Sequence, residues 1–232
     1  MSAAADKVRG IRHLPLFPLP LVVLPNEVLP LHIFEPRYRQ LLKDVQDDRS
    51  IFGVTFFDQS AESGDRPSTG TIGCAVELKE VQMLPDGRAN ILTSGVIRYR
   101  LLEYVESADP YLVGDVVFFE DDEEDPEELR PLADEVHRLF ERVARAAFKL
   151  SGNRGSFKEL PKSEPQALSF LVTAAFNLDN ELKHRMLEIT KTSMRLQKLR
   201  EILEQAVTKM EESAEIHKLA QSNGHSDKKL DI

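Results

Sequence analysis

The chain has 232 residues, 41% hydrophobic and 30% charged, and a formal net charge of −9. That balance suits a packed, soluble protein of one large or two small domains, and no run reaches the roughly 18 apolar residues of a membrane helix. The acidic charge argues against nucleic acid as a partner, because phosphate backbones are met by clustered Lys and Arg.

In chain order, Met1–Lys7 lacks the apolar stretch of a secretory signal. Residues 14–38 then hold Pro15, Pro18, Pro20, Pro25, Pro30 and Pro36, six of the 13 prolines, in a strongly apolar setting. Proline fixes φ and removes a donor, so the run reads as edge-strand pieces, Leu14–Phe17 and Val28–Phe34, and neither a helix nor a central strand. Pro36 suits the first turn of a helix. In that helix Tyr38, Leu41, Leu42 and Val45 form one apolar face, with Arg39, Gln40 and Lys43 outward.

Ile51–Phe57 is a strand, Asp58–Gly70 a loop, and Thr71–Leu84 one long strand or two. Cys74, the single cysteine, sits in the apolar run Ile72–Val76 and reads as a core residue. One cysteine excludes an intrachain disulfide and a cysteine-based metal cluster, and a reducing cytoplasm is the expected location. Pro85-Asp86-Gly87 is a hairpin turn into Arg88–Ser94. Gly95 breaks the run, and strands Val96–Val105 and Tyr111–Phe119 follow. Short strands at this spacing predict a small barrel.

Glu120–Glu128 holds eight acidic residues in nine. It reads as an extended, solvated linker over 121–128 whose end starts a helix. Residues 129–220 read as helical. Leu129, Leu132, Val136, Leu139, Phe140, Val143, Ala147 and Phe148 make the first stripe. Ser151–Lys162 is a loop, and Ser163-Glu-Pro-Gln166 has the form of a capping box. Asp179 caps a third helix, and Leu196, Leu199, Leu203 and Val207 stripe a longer fourth. Residues 221–232 form a polar tail. The expected class is α+β, with a β domain over 1–120 and a helical bundle over 129–220.

Catalytic signals are lacking. No Gly-Lys dipeptide occurs, so there is no phosphate-binding loop of the Walker type. No Gly-x-Ser-x-Gly elbow is present. The six histidines form no His-x-x-x-His pair, which leaves zinc hydrolysis without ligands. No catalytic residue, metal or cofactor is therefore expected. Four residues are binding candidates. His32 alternates with Leu31 and Ile33, on the opposite strand face. In Glu35-Pro-Arg-Tyr38, Arg37 offers a guanidinium and Tyr38 a ring with a polar tip. Phe57 offers an aromatic face. The competing reading of each is structural: a hydrogen-bonded histidine, an ion pair, and core rings.

The string Leu14–Tyr38 closely resembles the opening of the LON domain, the N-terminal substrate-recognition domain of Lon proteases. Gly53-Val54, Thr71-Ile-Gly73, Asp86-Gly-Arg88, Gly95–Arg98, Tyr111, Leu187-Glu188 and Arg195-Leu196 extend the resemblance over roughly residues 11–210. The resemblance implies a barrel like that of pseudouridine synthase and archaeosine transglycosylase (PUA-like), then a helical bundle ending in a long helix. It also implies recognition of unfolded or exposed protein segments, without the ATPase and Ser–Lys protease parts of Lon. Such segments would be taken by apolar grooves or by strand addition to an open edge, and a protease or unfoldase is a possible partner machine. An accessory subunit of an ATP-dependent protease is one alternative. RNA binding is another, since PUA-like barrels elsewhere bind RNA; it needs a basic cluster built from Arg37, Arg39, Lys43, Arg88 and Arg98.

Overall fold

The computed structural model describes residues 2–57, 66–150 and 162–223. Most of the expected loop after Asp58, nearly all of Ser151–Lys162 and the tail beyond 223 lie outside the described residues.

The elements in order are α1 (Ala3–Lys7), β1 (His13–Leu19), β2 (Val28–Ile33), α2 (Pro36–Asp47), β3 (Ile51–Phe56), β4 (Ile72–Met83), β5 (Ala89–Val105) and β6 (Leu112–Phe119). The helices α3 (Pro126–Leu150), α4 (Pro165–Ala175), α5 (Asn180–Glu188) and α6 (Thr192–Asn223) follow. The α+β class, strands first and helices after, is as expected.

The strands run β2-β5-β4-β3-β1-β6, and β6 pairs back onto β5. Five strands thus close on themselves, and β2 adds to β5 from outside the ring. The pair β1–β3 is parallel, so the chain must cross over between them. Residues 20–50 make that crossover and carry β2 and α2 with them.

Here the structure corrects the proline argument. β1, with Pro15 and Pro18, is an interior strand, paired to β3 on one side and β6 on the other. The two pairings are offset. β6 pairs with His13–Leu16 and β3 with Leu16–Leu19, so each proline lies where only one flank is paired. A proline can sit there because its missing N–H need not leave a partner carbonyl unmet.

Gly95 does not end a strand; β5 passes through it. On one side β5 pairs with β2 as far as Ser94 and with β6 from Arg98 onward. The turn between β1 and β2 fits into that change of partner. The Gly95 N–H donates to the Glu27 carbonyl at 2.8 Å, and the Asn26 N–H to the Gly95 carbonyl at 2.9 Å. A Cβ on Gly95 would lie 2.1 Å from the Leu24 carbonyl oxygen, so glycine is demanded by the approach of another backbone.

The α2 face formed by Tyr38, Leu41, Leu42 and Val45 packs with Phe17, Phe52, Val54, Val76 and Ile91. A second cluster surrounds fully buried Tyr99 with Leu14, Leu16, Ile51, Ile97 and Leu101, and α1 lies against it. The helices share a third core of Val136, Phe140, Leu168, Val172, Met186, Leu196, Leu199 and Leu203. A fourth, with Val22, Leu24, Ile72, Phe170 and Leu187, joins barrel to helices.

Two local readings at the helices change. The residue before α4 is Glu164, with no side-chain cap bond, so Pro165 in the first turn starts this helix and the Ser163 capping box does not. Asp179 does cap α5, its side chain accepting from the Leu182 N–H. The acidic stretch 121–128 is not wholly solvated. The Asp121 side chain is buried between Arg98 and Arg195.

Candidate functional site

β2 pairs only with β5 among the described residues, so its other edge is open. Alternation along it puts Val28, Pro30 and His32 outward, and Phe34 just beyond the strand continues that exposed series. The inward residues Leu29 and Leu31 are half-buried at the margin of the α2 core, with Val81 from β4.

At one end of this ladder Ile33 pairs with Ala89, and Ala89 with Met83. Phe34 and Met83 therefore stand at the same end, and both are exposed, at 59% and 61%. The β4–β5 turn closes there through the Gly87 N–H donating to the Leu84 carbonyl at 3.0 Å, with Gly87 at φ 79°. Arg88 binds the Asp86 carboxylate at 2.6 Å and holds that carboxyl below its ordinary range. Arg39, from α2, reaches the Asp86 carbonyl at 3.5 Å.

The four sequence candidates separate. His32 is exposed; its Nδ1 lies 2.7 Å from Asn90 Oδ1, and its ring stacks near Phe34 with centroids 6.1 Å apart. Arg37 is half-buried; its Nε donates to Glu35 at 2.9 Å, and the guanidinium lies 4.6 Å from the Tyr38 centroid. Tyr38 is a core residue, 5% exposed, with its ring 4.0 Å from that of Phe17. It supports the surface from beneath and offers no face to a ligand. Phe57 is half-buried past the end of β3, its N–H donating to the Leu19 carbonyl at 3.1 Å. It lies three strands from β2 in the ladder.

The cluster required for RNA loses Arg98. Arg98 is 2% exposed, turned into the junction of barrel and helices. Its Nη1 donates to the carbonyls of Leu187 at 2.9 Å and Ile189 at 2.7 Å, and its Nη2 to Asp121. Arg195, fully buried, binds the same Asp121 with two nitrogens and donates through Nε to Ser169 Oγ at 3.0 Å. Thr192 Oγ1 donates to Asp121 at 2.7 Å. Two cations thus share one carboxylate. The surplus charge faces carbonyls at the end of α5, where the helix dipole is negative, and the rings of Phe119 and Phe170. Burial lowers the affinity of Arg98 for its proton. This is a structural latch, and its members lie too far apart in sequence for spacing to reveal it.

Exposed Phe34 was legible as the next outward position after His32. Met83 was not, because its place depends on the register of the β4–β5 hairpin, where it pairs with Ala89 at the end of the ladder. Among the described residues no group of three or more His, Cys, Asp or Glu is arranged to hold a metal ion. Burial pushes the Cys74 thiol up to about 12, which leaves it inert as a nucleophile.

Residues 13–205 match the family described as the ATP-dependent protease La (LON) substrate-binding domain. The chain belongs to that family. The LON match spans the strands and the helices down to α6. Among relatives, the Lon protease of Brevibacillus choshinensis is 28% identical over 197 residues, 84% of this chain and 25% of that protein. The Lon protease of Xanthomonas oryzae pv. oryzae is 30% identical over 196 residues, 80% of this chain and 22% of that one. The chain thus spans about a quarter of the length of the curated relatives it matches. Two solved structures share the fold. The Lon N-terminal domain protein from Xanthomonas campestris superposes with a TM-score of 0.59 at 24% identity, covering 82% of this chain and 97% of that one. The N-terminal domain of a Mycobacterium avium complex Lon protease gives 0.63 at 18%, covering 83% and 98%.

Proposed function

We propose that this LON domain binds exposed or unfolded segments of other proteins, and that it acts by recognition without cleaving them. Membership of a substrate-binding family supports the reading. The observation that carries it is the open β2 edge, with half-buried Leu29 and Leu31 on one face and exposed Val28 and Phe34 on the other. Such a surface suits an extended chain, which brings alternating apolar side chains and unpaired backbone groups. Pro30 takes one donor out of β2, so side-chain contact carries more of the affinity here than strand addition does.

A role as adaptor in protein quality control, handing bound segments to a protease or unfoldase in the cytoplasm, extends this reading. The dispersal of Arg98 from the other arginines counts against the RNA alternative.

The test is fluorescence anisotropy of labelled apolar peptides of about 12 residues with the full chain, with and without ATP, followed by mass spectrometry of the peptide. Saturable binding that ignores ATP and leaves the peptide intact is expected. A cleaved peptide, or no binding to any apolar peptide, would overturn the proposal.

A further inference from the structure

The backbone of β2 has a bonded side and a bare one. Toward β5, the Glu27 carbonyl accepts from the Gly95 N–H at 2.8 Å, and the Leu29 carbonyl from Thr93 Oγ1 at 2.9 Å. In an antiparallel pair, residues that bond across the ladder alternate with residues whose N–H and C=O point away. Glu27, Leu29, Leu31 and Ile33 therefore face β5, and Val28, Pro30 and His32 turn their backbone groups to the open edge. Pro30 fits that parity, since a residue without an N–H sits in a strand at least cost on the unbonded side. The register from Val28↔Ser94 to Ile33↔Ala89 runs through it unbroken. Among the described residues no backbone bond takes up the outward groups. The edge thus offers an N–H and a carbonyl at Val28 and again at His32, with the lone carbonyl of Pro30 between them.

We infer that a bound segment is an extended stretch of about five residues, paired antiparallel to β2 through the main chain of Val28 and His32. The inference rests on the recognition reading above and names the class of segment that the site takes. The first, third and fifth residues of the stretch turn their N–H groups to β2, so proline is excluded there. The second and fourth stand opposite Leu31 and Leu29, on the same face of the sheet. Apolar side chains at those places pack on half-buried Leu29 and Leu31. The main-chain anchors set where the segment lies, while its side chains supply most of the affinity. An edge of six residues is far short of the roughly 20–30 residues a side of a stable interface between folded proteins. A second copy of this chain is a poor occupant for another reason. Two β2 edges in full overlap set Pro30 against Pro30, and neither carbonyl finds a donor. A segment with an N–H at that place satisfies it.

A labelled apolar peptide and a series carrying one backbone N-methyl group at each position in turn are titrated against the full chain. Each methyl that blocks an N–H facing β2 should weaken binding about threefold to tenfold. The methyls between them should change little, so sensitivity follows a two-residue period. On the protein side, His32→Pro removes an outward N–H that β5 does not use, and should fold as native Pro30 does. It should bind about threefold to tenfold more weakly than His32→Ala, which lacks the same side chain but keeps the N–H. Pro30→Ala supplies the missing donor and should tighten binding by a similar factor. Circular dichroism checks that each variant stays folded. Sensitivity without the two-residue period, or a Pro30→Ala protein that binds no more tightly than the native one, overturns the inference and leaves the recognition reading standing. So does equal binding by folded His32→Pro and His32→Ala. Sedimentation velocity tests the other occupant: a native dimer that His32→Pro abolishes also overturns the inference. Failure of every peptide to bind overturns both.

Discussion

Asp121 holds two buried arginines, Arg98 from β5 of the barrel and Arg195 from α6 of the helices. Removing one charge from such a group leaves uncompensated cations in the interior. Asp121→Asn is expected to cost about 3–5 kcal/mol, measured by urea unfolding. Gly95→Ala drives a methyl group into the Leu24 carbonyl oxygen, 2.1 Å away. Its expected cost is about 2–3 kcal/mol, with the β1–β2 turn displaced. Buried Asp115 and half-buried Glu77 are held below their ordinary range by hydrogen bonds from Arg12 and Lys7, and exposed Asp86 by Arg88. A carboxyl lowered in the folded state adds stability above its unfolded value and loses it as pH falls through the folded one. Thermal stability should therefore decline below about pH 4, and Asp115→Asn should flatten that decline. A profile of melting temperature against pH checks the sign.

At the scale of elements, the offset pairing of β1 explains how prolines enter an interior strand. Pro15→Ala and Pro18→Ala should each change stability by less than about 1 kcal/mol, since each site has one unpaired flank. Leu16→Ala removes a fully buried side chain from the residue paired on both sides, and should cost about 2–5 kcal/mol. Most elements could be read from local pattern. The Tyr38, Leu41, Leu42, Val45 face gave α2, the Pro85–Gly87 turn gave the β4–β5 hairpin, and Asp179 gave the start of α5. What could not be read is non-local. The interior place of β1 depends on β3 and β6 arriving at different halves of it. The continuity of β5 through Gly95 depends on the Leu24 carbonyl. The Ser163 cap lost to Pro165 because proline fixes the first turn whatever precedes it. α1 was missed because five residues carry too little periodicity to be seen. Of the candidates, His32 lies exposed and Arg37 half-buried near the β2 edge, and exposed Phe34 could have been read by alternation. Tyr38, read both on the apolar face of α2 and as a binding candidate, is buried against Phe17 from a different element.

Over the whole molecule, strands and helices are joined twice, by the apolar cluster of Val22, Leu24, Ile72, Phe170 and Leu187 and by the Arg98–Asp121–Arg195 latch. α5 adds two further contacts, Asn180 Nδ2 donating to the Pro20 carbonyl at 2.8 Å and His184 Nε2 lying 2.9 Å from the Ile72 carbonyl oxygen. These links tie the strands that carry the β2 edge to the helices. The central claim is that this edge recognises apolar protein segments without acting on them chemically. It is tested most directly by anisotropy of a labelled apolar peptide against the native chain and the Val28→Ser, Phe34→Ser double variant. The account predicts saturable, ATP-independent binding that the double variant weakens at least about tenfold, with the peptide recovered intact. Equal binding by the native and variant proteins, or recovery of cleaved peptide, would contradict it.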